Sequence, residues 1–386
     1  MQKISSAAFS DTKPHYELLD GLRGVAALVV IWYHIFEGFA TSPIDQRFNH
    51  GYLAVDFFFI LSGFVVGYAY DDRWKKKTMG TGNFFKRRLI RLHPMVVLGA
   101  VLGLITFLLQ GSQKWDGASV GLSLVLLAFL LNLFLIPAYP GAAHEVRGNG
   151  EMYPLNGPNW SLFFEYIGNI LYALCLRRLS TKALGTLVVV AAVALTGFAV
   201  GNLSGFGHLG VGWTLAGHNF LGGFLQLIFA FSAGLFLSRI FKPVHIRGAF
   251  WICSLAVIVL LSMPYVGDAE TPWVNGLYDA VCVVLVFPAL VYLGASGRAS
   301  DSGTSGVCKF LGDVSYPVYV VHYPFMYLFY AWLWSGGGMG LSFSQCWAVP
   351  VGLFLGSILL AYLCLKLYDE PLRRYLARRY LHGKQK

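Results

Sequence analysis

Apolar residues in this chain come in long runs separated by short polar connections, with none of the tight alternation that marks a half-buried strand. Runs of membrane-spanning length fall near residues 20–38, 52–70, 94–110, 118–137, 160–176, 184–201, 220–238, 249–264, 276–294, 311–333 and 346–368. Backbone amides in hydrocarbon must bond within their own segment, so such runs predict helices. The fold class expected is therefore all-α, a polytopic transmembrane bundle. The polar ends, 1–17 and 369–386, are too short to bury a core of their own. Residues 1–386 thus read as one integral membrane domain with a basic tail at 369–386. The segment before Leu18 has no apolar stretch or small-residue cleavage site, so the first helix is expected to be its own insertion signal.

Composition sharpens that picture. Hydrophobic residues make up 56%, charged residues 12%, and the mean hydropathy is +0.59. A soluble domain is about one-quarter charged, so the soluble classes are excluded. The net charge of +10 is spread over loops rather than gathered in one patch, which speaks for topology and against nucleic acid. Lys75, Lys76, Lys77, Lys86, Arg87, Arg88 and Arg91 follow the second run. Further groups are Arg177, Arg178 and Lys182; Arg239, Lys242 and Arg247; Arg298 and Lys309; and Arg373, Arg374, Arg378 and Arg379. Connections 202–219, 265–275 and 334–345 carry no Lys or Arg. The positive-inside rule makes the first set cytoplasmic and the second external.

Parity then demands that one of the three runs between loops 71–93 and 177–183 does not cross. The run 118–137 is chosen, because it holds Asn132 and ends in the Pro/Gly-rich stretch 136–141. This predicts about ten spanning helices, one half-inserted or interfacial segment, and both termini in the cytoplasm. The six cysteines show no CxxC or Cys/His cluster, so neither a metal site nor a disulfide framework is indicated. Gly201–Gly212 and Ser300–Gly306 read as flexible loops.

Arg23 and His34 lie within one run, eleven residues apart. On a helix that leaves them about 20° apart in azimuth and about 16 Å apart along the axis. Ionisable groups there either face a polar cavity or are structural, the Arg snorkelling and the His satisfied by a neighbour.

Four motifs, in order, carry a resemblance. They are Leu-Asp-Gly-Leu-Arg-Gly-Val-Ala-Ala-Leu (19–28) running on to His34; Gly-Tyr-Leu-Ala-Val-Asp-Phe-Phe-Phe-Ile-Leu-Ser-Gly-Phe (51–64) leading into Phe-Phe-Lys-Arg-Arg-Leu-Ile-Arg-Leu-His-Pro (84–94); Asn-Gly-Pro-Asn-Trp-Ser-Leu-Phe-Phe-Glu-Tyr (156–166); and Leu-Gly-Asp-Val-Ser-Tyr-Pro-Val-Tyr-Val-Val-His-Tyr-Pro (311–324). Together they resemble the membrane acyltransferase-3 family, with its Arg-x10-His, Arg-x-x-Arg and Trp-Ser-Leu-x-x-Glu signatures. Two positions depart from the pattern: His93 stands where relatives often carry an aromatic, and Tyr166 follows Glu165 in place of a second carboxylate. The esterase-like soluble domain that some relatives append is not expected here, and the chain reads as the minimal membrane module.

The resemblance implies an O-acyltransferase of the bacterial inner membrane. It would move an acyl group, most simply acetyl, from cytoplasmic acyl-CoA to a hydroxyl of a cell-surface or lipid-linked carbohydrate. Acyl-CoA enters as a substrate; no tightly bound cofactor and no metal are expected, and the bilayer is the standing partner. The expected catalytic residues are His34, Arg23 and Glu165. His34, placed roughly mid-membrane, has the side chain suited to proton transfer near neutral pH. Glu37 either orients that ring or is an interfacial carboxylate. Arg88 and Arg91, one turn apart, are expected to bind donor phosphates, with Arg23 reaching the same phosphates or the developing oxyanion. Trp160, Ser161 and Glu165 are expected to open a helix toward the acceptor at the outer side. Asp56, Tyr316 and His322 line the acceptor cavity or pair with one another. A transporter or exporter of a small polar or acylated metabolite is the other class weighed, but it predicts paired interrupted segments in two halves, and the sequence shows none.

Overall fold

The computed structural model describes residues 15–139, 141, 145–244, 246–297 and 302–381. Fourteen α-helices follow one another: α1 (Glu17–Glu37), α2 (Ala54–Lys75), α3 (Thr81–Leu109), α4 (Leu122–Leu133), α5 (Asn159–Leu174), α6 (Thr181–Val200), α7 (Gly217–Ile240), α8 (Ala249–Ser262), α9 (Pro272–Val281), α10 (Phe287–Ser296), α11 (Ser302–Ser335), α12 (Phe343–Cys346), α13 (Ala348–Cys364) and α14 (Glu370–Tyr380). Among the described residues there is no strand, only one isolated bridge between Gln113 and Ser119. The all-α expectation holds.

Among the described residues, seven segments are long and apolar enough to cross a membrane: Glu17–Glu37, His50–Lys75, Thr81–Leu109, Thr181–Val200, Gly217–Ile240, Pro272–Ser296 and Ala348–Tyr380. Leu, Val, Ile and Trp side chains project outward along them and along α8, as at Val189, Val193, Trp251, Leu255, Leu355, Leu359 and Leu367. Such faces suit lipid. This is a multi-pass membrane protein. The segment chosen as non-crossing forms α4, only 12 residues and about 18 Å long, short of the ~30 Å hydrocarbon core.

Two boundaries differ from expectation. The last run does not end at 368, because α13 continues through a π-helical turn (Leu365–Asp369) into α14. The stretch from Ser302 to Gly306 is the first turn of α11 rather than a loop; residues 300 and 301, with Arg298, lie outside the described residues. Prolines explain the irregular turns. Pro288 and Pro371 lack an N–H for the i−4 carbonyl, and each stands just beyond a π-helical turn, Cys282–Val286 and Leu365–Asp369.

Helix α1 runs through the interior, packed along α11 and touched by α8, α10 and α2. Its contact with α11 is close because Gly24 has no side chain: a Cβ there would stand 2.3 Å from the Leu311 carbonyl oxygen. The α2–α7 contact uses the same device, with Gly63 against Phe231 and Gly234 against Ile60. Pro324 inside α11 leaves the Val320 carbonyl without its helical donor, and the Asn156 side chain supplies one at 2.9 Å. That bond ties the start of the 156–166 motif to α11.

The long connection between α4 and α5 folds back over one end of α11. Fully buried Arg147 anchors it. Its Nε donates to the Pro154 carbonyl at 2.8 Å, another nitrogen donates to Gln110, and its guanidinium lies 3.6 Å above the Tyr327 ring, with Phe107 and Trp115 close by.

Candidate active site

A stripe of polar-tipped side chains on α11 organises the interior. Tyr316, Tyr319, Tyr323, Tyr327 and Tyr330 are spaced three, four, four and three residues apart, which keeps them on one helix face. Tyr316 donates to the Leu92 carbonyl at 2.6 Å, and Tyr319 shares a 2.6 Å bond with Ser161. The Tyr323 ring packs edge-on against His34, with centroids 4.7 Å apart. Tyr327 donates to Glu151. Tyr330 donates to the His34 carbonyl at 2.7 Å and to Glu37 at 3.0 Å.

His34 stands in the last turn of α1, not at its middle. Its neighbours are Tyr33 and Glu37 of the same helix and His322, Tyr323 and Tyr330 of α11. Its Nδ1 lies 2.8 Å from Glu37 Oε2, an i,i+3 pair on one face. Because a carboxylate only accepts, Nδ1 carries the hydrogen of the neutral ring, and Nε2 is left as the basic nitrogen. Glu37 is thus the orienting partner of the ring rather than a loose interfacial charge. The pair remains reachable, with side-chain exposures of 16% for His34 and 39% for Glu37. His322 lies beside it, its ring centroid 5.5 Å from that of His34.

A second polar cluster surrounds Arg23, further down the same helix. Arg23 Nε donates to Ser315 Oγ at 3.0 Å, and another of its nitrogens lies 3.3 Å from Asp20. Arg88, Arg91 and Glu165 are near enough to act on its charge. Arg88 is 6% exposed and forms a 2.5 Å ion pair with Glu165, which also accepts from Ser62 at 2.6 Å. The sequence reading set Glu165 with the acceptor and Arg88 with the donor; the structure brings the two side chains together in one ion pair. A buried guanidinium needs such a partner, since desolvation without one is severe. Arg91 is half-buried and close to Arg23 and Asp369.

Asp56 does not join His322. Fully buried, it accepts from Gln226 at 3.2 Å, near a network of Asp279, Tyr52, His50 and Asn275. Trp160 packs against Phe164 and the backbone of Gly212, so it belongs to the wall between α5 and the 201–216 connection. Ser161 and Tyr316 are held by the tyrosine stripe. Glu151, Tyr323, Tyr327 and Tyr330 were missed by the sequence reading; the three- and four-residue tyrosine spacing was the available signal, while Glu151 gave none. Burial raises the Glu151 carboxyl above its ordinary range, against the opposing pull of its bond from Tyr327. No group of three or more His, Cys, Asp or Glu placed to hold a metal occurs among the described residues.

Helices faced with lipid-suited side chains, and a buried polar stripe ending in a His–Glu pair, define a multi-pass membrane protein with a polar interior. Comparison with known proteins gives the class its family: residues 16–366 match the family described as the acyltransferase domain, and the chain belongs to it. It is similar to protein 2 in the picA locus of Rhizobium radiobacter, 35% identical over 46% of this chain and 91% of that one. It is also similar to acyltransferase MdmB of Streptomyces mycarofaciens, at 26% identity over 94% and 92%. The exopolysaccharide production protein ExoZ of Rhizobium meliloti (strain 1021) is 26% identical over 89% and 96%. No solved structure matches the chain. The protein is a membrane O-acyltransferase.

Proposed function

We propose that this enzyme moves an acyl group, acetyl in the simplest case, from cytoplasmic acyl-CoA to a hydroxyl of an externally presented carbohydrate, free or lipid-linked. The observation that carries the chemistry is the 2.8 Å contact between His34 Nδ1 and Glu37. His34 Nε2 takes the proton of the acceptor hydroxyl as its oxygen attacks the thioester carbonyl. The C–O bond forms, the C–S bond breaks, and the thiolate leaves with the proton that His34 returns. Glu37 holds the ring and faces the charge that develops on it.

The donor enters from the side where basic residues gather. Arg91, with Arg23 and the Glu165-held Arg88, offers guanidinium groups to its phosphates. About 16 Å of α1 separates Arg23 from His34, a distance an extended thiol-bearing arm can span. The carbohydrate acceptor is supported by the relative named for exopolysaccharide production. Topology supports the same two-sided use. On this reading Asn159–Leu174, Ala249–Ser262 and Ser302–Ser335 cross as well as the seven long segments, because the loops that flank them alternate between basic and poor in or free of Lys and Arg, and the crossings number ten. Both termini and the 76–80 connection then lie in the cytoplasm of a bacterial inner-membrane protein.

The test is mass spectrometry of surface glycans from cells carrying the wild type or His34→Ala at equal membrane abundance. Loss of the base should lower acylation by roughly 10²–10⁴. Near-normal acylation by the variant removes His34 from the chemistry.

A further inference from the structure

Beside the site, His322 carries a fully buried imidazole nitrogen that no described residue answers. Its Nδ1 is 2.9 Å from the Val318 carbonyl, one helical turn back. A carbonyl can only accept, so Nδ1 is the N–H of the neutral ring and Nε2 presents a lone pair. That lone pair has no partner, and the residue is 0% exposed. Leaving a buried acceptor unpaired costs about 1–3 kcal/mol. Neighbouring polar tips on the same face do not bear this cost: Tyr319 is bonded to Ser161, Tyr327 to Glu151 and Tyr330 to Glu37. The imidazole is also placed with intent. Its ring centroid is 5.5 Å from that of His34 and 5.8 Å from that of Tyr323.

We infer that His322 Nε2 accepts a hydrogen bond from an O–H or N–H group of the bound substrate, beside the atom that His34 deprotonates. This rests on the acyl-transfer reading above and adds a substrate-positioning acceptor to it. A ring with one hydrogen committed to the backbone can only accept here, so it selects for a substrate donor and leaves an analogue lacking one with an unpaired buried nitrogen. The hydrogen has two chemical sources. One is a hydroxyl of the sugar adjacent to the acylated one. The other is an amide N–H in the arm of the thioester donor.

Two substitutions separate the inference from a packing role. His322→Leu fills the space and removes the acceptor; His322→Gln restores a carbonyl oxygen within reach. Each full-length variant, matched for membrane abundance and melting temperature, is scored for surface-glycan acylation in cells and, after purification in detergent, for binding of labelled acetyl-CoA. The expected result is a 5- to 150-fold loss of acylation in His322→Leu, the range that 1–3 kcal/mol converts to, with most of it recovered in His322→Gln. Weakened acetyl-CoA binding in the Leu variant alone assigns the hydrogen to the donor, and unchanged binding assigns it to the acceptor. Acylation by His322→Leu within twofold of wild type overturns the inference, as does equal loss in both variants. The parent reading fails separately, on retained acylation by His34→Ala.

Discussion

Glu37→Gln tests the dyad most sharply, because it keeps the size of the side chain and removes only its charge and its acceptor-only character. In the native protein Glu37 Oε2 stands 2.8 Å from His34 Nδ1 and also receives the Tyr330 hydroxyl at 3.0 Å. A hydrogen bond to a charged group contributes about 1.5–3 kcal/mol. When His34 gains a proton in the transition state, that contribution grows selectively there, so its loss appears in kcat rather than in KM. At 1.36 kcal/mol per decade the expected decrease is roughly 10- to 150-fold. The amide brings a second effect in the same direction. Its NH2 group can donate to Nδ1, which forces the ring hydrogen onto Nε2 and removes the base. The assay follows thiol release from acetyl-CoA together with acyl transfer, using purified protein at saturating donor. Glu37→Asp, one methylene shorter, should fall between wild type and Gln. A Gln variant within about threefold of wild-type kcat would show that His34 is oriented by something else, and the dyad would lose its mechanistic meaning.

The remaining predictions concern the inner cluster and the topology. Arg88→Ala leaves Glu165 buried without its 2.5 Å partner, so the melting temperature should drop by an amount equivalent to about 3–5 kcal/mol, and Arg88→Ala with Glu165→Gln should recover a large part of it. An Ala variant that melts like wild type refutes the ion pair as a structural element. Replacing Lys75, Lys76 and Lys77 together should leave acetyl-CoA binding within a few-fold, whereas Arg91→Ala should weaken it by about tenfold through loss of a guanidinium fork; equal effects from both would reduce the basic residues to topology signals. Single cysteines at Asn149 and Asn202, in a background without native thiols, should react with an impermeant reagent from outside, and one at Ser180 only after the inside is opened. Protection of position 149 alone would mean that α4 crosses.

Helix class and membrane character were legible in the chain because run length and charge spacing are local properties. Boundaries were less so, and the reasons differ by site. The first turn of α11 read as a loop from its Ser and Gly residues, yet it lies beside Glu17, to which Ser305 donates at 2.9 Å; a tertiary partner outweighs weak propensity. The continuation of α13 into α14 was hidden because the apolar run stops at 368 and the polar residues beyond it carry no hydrophobic signal, while the missing N–H of Pro371 is absorbed by the π-helical turn before it. His34 was found by its spacing from Arg23, but it stands in the last turn of α1, because the helix ends at Glu37, three residues beyond it. Pairings across elements, such as Arg88 with Glu165, leave no trace in spacing at all. The motifs named both residues and could not say that they touch.

The tyrosine stripe shows why α11 stands outside the seven most apolar segments although its 34 residues make it the longest helix described. A helix surrounded by protein need not be dressed for lipid. Its five tyrosines, two prolines and one histidine lower its hydropathy, and most of them have identifiable work. Pro324 frees the carbonyl that Asn156 binds; Tyr319 fixes Ser161; Tyr330 fixes Glu37 and, through its carbonyl, the last turn that carries His34. Three of the four separated motifs are therefore joined through one helix face: the α1 motif toward its C-terminal end, the 156–166 motif at its middle, and the helix's own residues between them. The second motif reaches the same assembly through Leu92, whose carbonyl receives Tyr316, and through the Arg88–Glu165 pair. Polar side chains repeating at helical spacing inside a membrane-length segment thus mark a helix that faces protein and substrate. By that criterion α11, rather than the more apolar α13, is where further substitutions should alter the reaction before they alter insertion.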